Sequence, residues 1–306
     1  MINYNFIFPG QGSQSVGMSK DILISNRSKT LFNEASELIG YDLLDICLNG
    51  PEDLLIKTKN TQPSVFTLSI LIDQILKESN IFPRAVAGHS LGEYAALVSS
   101  NVLKFRDALK LIILRCNEME KANNSNDGTM AAVLNASKND LSQIISLAKG
   151  VLVVANYNTT SQVVISGETS EVNSAIDNFN SLSKKIKCIK LKVSGAYHSP
   201  LMKFARDALS NAINSLNFND AEIPIYQNID AKPYQNSKKI KKNLILQLES
   251  QVKWNETILN METKTKNFIE SGPGKVLVSM NRRISPEICS YEANSISKIN
   301  SICTIG

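Results

Sequence analysis

Residues 85–97 place a serine between a short apolar segment and a segment that favours a helix. The pentapeptide GHSLG at 88–92 fits the pattern G-x-S-x-G, in which a strand meets a helix through a turn so tight that only small residues can flank it. An ordinary glycine-rich strand-to-helix turn is the alternative, but the predicted strand before the motif and the predicted helix after it supply the context that a nucleophile turn requires. The motif therefore predicts an α/β fold. It also presents the hydroxyl of Ser90 at a helix N-terminus, where free N–H groups and the helix dipole stabilise an anion.

A serine hydroxyl becomes a nucleophile when a base accepts its proton. The chain has two histidines, His89 and His198. His89 directly precedes the serine, so in a sharp turn its side chain should leave in a different direction from that of Ser90. His198 lies in the loop 194–200, where the chain leaves a predicted small domain at 126–193 and re-enters a larger one. We therefore predict that Ser90 is the nucleophile and His198 its general base.

Arg115 follows four apolar residues in a helix predicted over about 105–122, which should be buried. An unpaired guanidinium would be costly there. One possible partner is Glu118, three residues further along the helix, in a local ion pair. The other is a substrate carboxylate, which a guanidinium matches with two parallel hydrogen bonds. The spacing alone does not decide between them.

From residue 128 onward, six predicted elements follow in the order β-α-β-β-α-β, which is typical of a ferredoxin-like unit. They span 129–134, 138–148, 151–156, 162–166, 170–180 and 186–193. Helix-rich α/β sequence resumes at about residue 200. We expect a large domain with a parallel sheet, similar to the α/β hydrolases, formed by 1–125 and 194–306, and a small ferredoxin-like domain inserted at 126–193. A cleft between the two would be the natural ligand site.

Composition argues against several classes of partner and site. The 306 residues carry a net charge of +5, which is too small to require a nucleic-acid partner. The five cysteines are odd in number and include no C-x-x-C pair, so neither a disulfide framework nor a metal site is indicated. No signal-peptide pattern and no apolar stretch of membrane length is seen, and we expect a cytoplasmic protein that does not contact a membrane.

Further motifs lie along the chain on both sides of the serine turn. They are Phe8-Pro9-Gly10-Gln11-Gly12-Ser13-Gln14, Thr61-Gln62-Pro63, Gly88-His89-Ser90-Leu91-Gly92-Glu93-Tyr94, Arg115, Tyr197-His198-Ser199-Pro200-Leu201-Met202, Gln247-Leu248 with Val252 and Trp254, and Gly272-Pro273-Gly274-Lys275. In this order and spacing, and over essentially its whole length, the chain resembles the malonyl-CoA:acyl-carrier-protein transacylases of fatty-acid synthesis.

The resemblance implies a ping-pong reaction. Ser90 would take a malonyl group from coenzyme A. His198 would accept the proton of Ser90 and later activate the pantetheine thiol of holo acyl carrier protein. In this family a backbone carbonyl, here near Gln247, orients the histidine in place of a carboxylate. No cofactor is implied beyond the two substrates, malonyl-CoA and holo acyl carrier protein.

The resemblance also implies how charge is stabilised. The backbone N–H groups of Gln11 and Leu91 would form the oxyanion hole. Arg115 would hold the malonyl carboxylate. The resemblance therefore favours the substrate, rather than Glu118, as the partner of Arg115.

The sequence departs from the family pattern at three places. Gln251 replaces a usual proline, Tyr197 replaces a usual phenylalanine, and residues 158–162 read Asn-Thr-Thr-Ser-Gln where Asn-Ser-Pro-Gly-Gln is usual. None of these positions is a nucleophile, base or carboxylate-binding residue. An aromatic residue before His198 suits malonyl rather than methylmalonyl groups, and the loop could alter pantetheine contacts.

Other functions use the same residues. A trans-acting acyltransferase of a polyketide synthase would share the chemistry but serve another carrier, a serine thioesterase would release the acyl group to water, and a non-catalytic binding protein would have no need of serine, histidine and arginine together. We expect a monomer. Four lysines of the small domain could dock an acidic carrier protein or simply form a solvated edge: Lys184, Lys185, Lys187 and Lys190.

Overall fold

Residues 2–305, which the computed structural model describes, contain ten β-strands in two sheets, fourteen α-helices and one turn of 3₁₀ helix at Pro200–Met202. The strands are β1 (Tyr4–Phe8), β2 (Pro83–Gly88), β3 (Gly128–Leu134), β4 (Leu152–Thr159), β5 (Gln162–Glu168), β6 (Lys187–Lys190), β7 (Ile225–Tyr226), β8 (Pro233–Tyr234), β9 (Asn267–Glu270) and β10 (Cys289–Glu292). The helices are α1 (Lys20–Leu23), α2 (Asn26–Ile39), α3 (Leu43–Asn49), α4 (Glu52–Leu55), α5 (Thr58–Glu78), α6 (Gly92–Ser99), α7 (Phe105–Ser125), α8 (Lys138–Ser146), α9 (Thr169–Leu182), α10 (Lys203–Ser215), α11 (Ser237–Gln247), α12 (Trp254–Glu262), α13 (Val276–Ile284) and α14 (Ile296–Ile305).

The larger sheet has the strand order β10-β9-β1-β2-β7-β8. Its strands run parallel except at the β8 edge, where β8 is antiparallel to β7. All five residues of β1 are buried, as expected for a central parallel strand with helices on both faces of the sheet. The predicted α/β fold with a parallel sheet is therefore confirmed.

The smaller sheet is antiparallel with the order β4-β5-β3-β6. Its elements follow the predicted β-α-β-β-α-β order, and the side chains of α8 and α9 share one apolar cluster with its strands. The last strand is shorter than the predicted 186–193. After Lys190 only the N–H of Leu191 still pairs, with the carbonyl of Met130, and the chain then leaves the sheet for the loop that carries His198. The boundaries 126 and 193 of the small domain stay a proposal.

Backbone pairing joins β4 of the smaller sheet to the segment before α12 at one seam. The N–H of Tyr157 in β4 donates to the carbonyl of Val252 at 2.9 Å, and the N–H of Val252 donates to the carbonyl of Ala155 at 2.8 Å. The next residue of β4, Asn158, contacts His89, which directly follows β2, so the seam lies near the carboxyl end of β2. It leaves a cleft between the sheets, and the serine turn opens into that cleft.

The serine turn depends on two glycines that let α6 approach the larger sheet. A Cβ atom on Gly88 would lie 1.8 Å from the carbonyl carbon of Gly92, and a Cβ atom on Gly92 would lie 2.0 Å from the carbonyl oxygen of Phe8. Any larger residue would force the helix away from β1 and β2. The structure thus confirms the strand, tight turn and helix that the motif predicts.

None of the helices in residues 2–305 combines the length and the apolar character needed to cross a membrane.

Candidate active site

Ser90 adopts a left-handed backbone conformation, with φ of 51°. This region is unfavourable for a residue with a Cβ atom and is common at strained functional turns. The Ser90 Oγ atom lies 2.8 Å from Nε2 of His198 and 3.0 Å from Nη2 of Arg115. The structure therefore brings together the three side chains predicted from the sequence. Ser90 lies in the turn between β2 and α6, His198 in the loop before α10, and Arg115 in α7.

His198 is buried, with 4% of its surface exposed, and its ring is held from the side opposite Ser90. Its Nδ1 atom lies 3.1 Å from the carbonyl oxygen of Gln247 and 3.0 Å from that of Ser250. A carbonyl can only accept, so Nδ1 carries the proton and Nε2 is free to accept one from Ser90. Burial, and secondly the charge of Arg115, lower the pKa of His198 to about 3. The ring is consequently neutral at pH 7.

Arg115 is buried without an acidic partner among residues 2–305. Only 1% of its surface is exposed, and Nη1 donates to Oε1 of Gln62 at 2.6 Å while Nη2 donates to Ser90 Oγ. Its Nε–H has no hydrogen-bond partner in this part of the chain. Glu118, the local alternative, pairs instead with Lys121 at 2.6 Å. A guanidinium with an unused donor beside a serine hydroxyl is suited to bind a carboxylate.

Gln11 and Leu91 border the same cavity as Ser90. Gln11 lies in the loop after β1, and Leu91 is the residue directly before α6. Within the described residues, neither of their backbone N–H groups donates a hydrogen bond to another protein group. Two free N–H groups near a nucleophile can together stabilise the oxyanion of a tetrahedral intermediate. Their assignment as the oxyanion hole stays a prediction.

The cavity around Ser90 has a volume of about 210 Å³ and is walled by both sheets and their helices. Its apolar lining includes Met119, Met130, Val164, Leu191, Leu277 and Met280. Arg115 is the one permanently charged side chain that lines it in the described chain. Residues 2–305 hold no group of three His, Cys, Asp or Glu side chains that could bind a metal ion.

The three departures from the family pattern lie around this cavity or beyond it. The Tyr197 hydroxyl is held by Asn123 Nδ2 at 3.2 Å and lies 3.1 Å from Ser194 Oγ, while the residue itself lines the cavity. Residues 158–162 form the β4–β5 hairpin connection with its flanking residues. Gln251 lines a different cavity of about 950 Å³, bounded by residues of α8, β4 and α12, that does not contain Ser90.

The side chain of His89 makes contacts that do not involve Ser90. Its Nε2 atom lies 2.9 Å from Oδ1 of Asn158, and its ring packs edge-on against Trp254 with centroids 5.4 Å apart. Burial lowers the pKa of His89. The histidine therefore joins the serine turn to β4 of the smaller sheet.

Sequence reasoning missed four residues with contacts at the site: Gln62, Asn158, Asn228 and Ser250. Gln62 and Asn158 lie in segments that the family motifs cover, so their position was a signal, although no role was assigned to them. Asn228 carried no signal. It follows β7, a strand of two residues that is too short to show any periodicity.

Because the chain has only two histidines, the NMR signals of the His198 ring can be distinguished, and its protonation can be measured directly. A pKa lowered to about 3 leaves the imidazole neutral from pH 8 to pH 5, whereas an ordinary histidine with a pKa of about 6.5 would be mostly protonated at pH 5. We expect ¹H–¹⁵N NMR of tag-free protein to show His198 as the Nδ1–H tautomer throughout this range. His89→Gln leaves a single histidine and secures the assignment. A midpoint near pH 6.5, or an Nε2–H tautomer, would contradict this description of the base.

Three known proteins show what the chain is similar to. A malonyl CoA-acyl carrier protein transacylase from Synechocystis sp. is 35% identical over 97% of this chain and 99% of its own length. The solved malonyl CoA-acyl carrier protein transacylase of Coxiella burnetii superposes with a TM-score of 0.94 at 32% identity, covering 99% of this chain and 97% of that one. A malonyl-transacylase solved in complex with its type II polyketide-synthase acyl-carrier protein gives a TM-score of 0.95 at 32% identity, over 99% of this chain and 100% of that one.

The family model of the acyl transferase domain matches residues 5–295. The match spans both sheets and every residue of the site described above. Together with the relatives that align over nearly the full length, it shows that this chain belongs to the malonyl CoA-acyl carrier protein transacylase family of acyl transferases.

Proposed function

We propose that this protein transfers a malonyl group from malonyl-CoA to the phosphopantetheine thiol of acyl carrier protein, through a malonyl ester of Ser90, for fatty-acid biosynthesis. One observation carries the proposal. The buried guanidinium of Arg115 lies 3.0 Å from the nucleophilic oxygen and has no acidic partner in residues 2–305. A serine that accepted simple acyl groups would gain nothing from a buried cation at this distance, whereas a carboxylated acyl group needs one.

In the first half-reaction, Ser90 Oγ attacks the thioester carbonyl of malonyl-CoA while Nε2 of His198 accepts its proton. The N–H groups of Gln11 and Leu91 donate to the oxyanion of the tetrahedral intermediate; one such donor is typically worth about 100- to 1000-fold in rate. The C–S bond then breaks, and the departing coenzyme A sulfur takes the proton from His198. The malonyl group remains as an ester of Ser90.

In the second half-reaction, His198 accepts the proton of the carrier's pantetheine thiol. The resulting thiolate attacks the ester carbonyl, the C–O bond breaks, and Ser90 Oγ recovers the proton from His198. The carbonyl groups of Gln247 and Ser250 stabilise the imidazolium in each half-reaction, because both accept from Nδ1–H. They take the place that a carboxylate has in the serine hydrolases.

Arg115 selects the acyl group by its charge. A malonyl carboxylate can accept two parallel hydrogen bonds from the guanidinium, including one from the unpartnered Nε–H. With an acetyl group the guanidinium stays buried and unpaired, which sacrifices several kcal/mol of transition-state stabilisation.

The partner and setting follow from the proposed reaction. Acyl carrier protein appears in the names of the relatives and, as a bound chain, in one of the matched structures. We propose that the protein acts in the cytoplasm as a monomer.

Four lysines, Lys184, Lys185, Lys187 and Lys190, are exposed on or beside the edge strand β6, and none lines the cavity around Ser90. Docking of the carrier there stays a proposal.

Covalent labelling tests the reaction directly. Wild-type protein incubated with radiolabelled malonyl-CoA should retain covalent malonate and pass it to holo acyl carrier protein. Ser90→Ala should retain none, because no other group takes the role of Oγ. Ser100→Ala removes a buried serine hydroxyl that bonds to the carbonyl of Ala96 and should label normally. Label released as free malonate, with none on the carrier, would indicate a thioesterase; an unlabelled wild type would refute the proposal.

The selectivity of Arg115 can be measured by substitution. Arg115→Ala should lower kcat/KM for malonyl-CoA by at least about 100-fold, since removing one partner of a buried charge pair typically costs 3–5 kcal/mol. Acylation by acetyl-CoA should change by less than about tenfold. For malonyl-CoA, the kcat/KM of Arg115→Lys should lie between those of the wild type and Arg115→Ala, because lysine keeps the charge but not the planar guanidinium. Arg106→Ala, on the exposed side of the same helix, serves as the control. Equal losses for both substrates would mean that Arg115 is structural.

A second carrier is a specific alternative, because one of the most similar structures contains a type II polyketide-synthase acyl-carrier protein. We propose that the fatty-acid carrier is preferred. With malonyl-CoA saturating, kcat/KM should be at least about tenfold higher for a holo fatty-acid carrier than for a holo polyketide carrier, a difference of about 1.4 kcal/mol. The reverse ratio would assign the protein to polyketide synthesis while leaving the chemistry at Ser90 unchanged.

A further inference from the structure

We propose that Asn228 is a positioning residue for the nucleophile, and that its side-chain amide holds Ser90 in the reactive backbone conformation. The inference rests on the proposed function of Ser90. Asn228 follows β7, which pairs in parallel with β2, so both residues lie at the carboxyl ends of neighbouring strands. It is fully buried and contacts the serine turn from the side of β7.

The Asn228 amide bridges the two ends of the turn. The N–H of Ser90 donates to Oδ1 of Asn228 at 2.8 Å, and Nδ2 of Asn228 donates to the carbonyl oxygen of Gly88 at 2.6 Å. An N–H can only donate and a carbonyl can only accept, so the orientation of the amide is fixed by its partners. The side chain thereby supplies the hydrogen bonds that backbone pairing cannot provide where β2 ends and the chain turns.

Asn228 is itself held in place by its backbone. Its N–H donates to Oε2 of Glu93 at 2.9 Å, and its carbonyl accepts from the N–H of Lys253 at 2.9 Å. The other oxygen of Glu93 accepts from Nε2 of Gln227 at 3.0 Å. Burial raises the pKa of Glu93 to about 7, although these donors oppose the shift. Because Asn228 is fully buried and both its backbone groups and both atoms of its amide are hydrogen-bonded, the amide has little freedom to move.

Both peptide groups of Ser90 are therefore fixed by side chains. Asn228 binds its N–H, and Nε2 of Gln247 donates to its carbonyl oxygen at 2.9 Å. Without Asn228, the left-handed φ of Ser90 could relax, which would move Oγ away from His198 and turn the N–H of Leu91. The fold depends less on the hydrogen bonds of Asn228 than the conformation of Ser90 does, because the packing at Gly88 and Gly92 holds α6 against the larger sheet independently.

The test compares Asn228→Ala with Asn5→Ala. Asn5 is an equally buried asparagine on β1 whose amide also donates to backbone carbonyls, those of Met261 and Thr265, but it has no contact with Ser90. Malonyl transfer to holo carrier protein and the melting temperature are measured for both. We expect Asn228→Ala to lower kcat by about 100-fold with the KM for malonyl-CoA within about twofold, as for a misplacement of reacting groups by about 1 Å. Asn5→Ala should lower the melting temperature comparably but leave kcat within about twofold of wild type.

A kcat for Asn228→Ala within threefold of wild type, a loss confined to KM, or the same kcat loss in Asn5→Ala would overturn the proposal. If Asn228→Ala does not fold, Asn228→Asp decides. It keeps the acceptor for Ser90 but replaces the donor to Gly88 by a carboxylate oxygen that faces the Gly88 carbonyl, so a loss of at least about tenfold in kcat is expected; an unchanged kcat would again overturn it. Labelling of Ser90 in the wild type is checked first, because its absence would refute the proposed function rather than the role of Asn228.

Discussion

The contact between the first turn of α6 and the ends of β1 and β2 constrains every other part of the site. Gly88 and Gly92 have no Cβ atoms, and the backbone on either side of Ser90 is therefore brought closer than any other residue would allow. The cost is a serine in the left-handed region, with φ of 51°. Hydrogen bonds between Ser90 and the buried amide side chains of Asn228, which accepts, and Gln247, which donates, stabilise that conformation. The nucleophile is thus exposed at a helix N-terminus while its backbone is rigid, which is the arrangement that reduces reorganisation during reaction.

A single buried cation sets the electrostatics of the cavity. Arg115 is surrounded by Gln62, the face of Tyr94 at 5.9 Å and the oxygen of Ser90, all of them neutral. Its charge helps to lower the pKa of His198, so the base is neutral when substrate arrives. Leaving a guanidinium without an anion costs stability in the free protein, and such costs are characteristic of sites whose missing partner is the substrate.

The walls of the cavity are held by groups that take no part in the proposed chemistry. Glu270, at the end of β9, is buried and accepts the N–H groups of Leu277 and Val278 at 3.1 and 2.8 Å. It fixes the first turn of α13, and Leu277 lines the cavity. On the opposite side, the smaller sheet contributes Met130 and binds the serine turn through the contact between Asn158 and His89. The shape available to an acyl group therefore depends on both sheets and on the pairing of β4 with the segment before α12.

The sequence by itself determined the strand, turn and helix around Ser90, the order of elements in the smaller sheet, and the nomination of His198 and Arg115. These conclusions rest on local rules: glycines at a close approach, the periodicity of strands and helices, and the scarcity of histidine. The tertiary structure decided which anion Arg115 could meet, because the pairing of Glu118 with Lys121 depends on side-chain directions that spacing leaves open. It also added a contact of the Gln247 side chain with Ser90 to the one predicted with His198, and brought Asn228 to the serine turn across 138 positions. Contacts of that range arise from the parallel pairing of β2 with β7, and a two-residue strand leaves no pattern from which the pairing could be predicted.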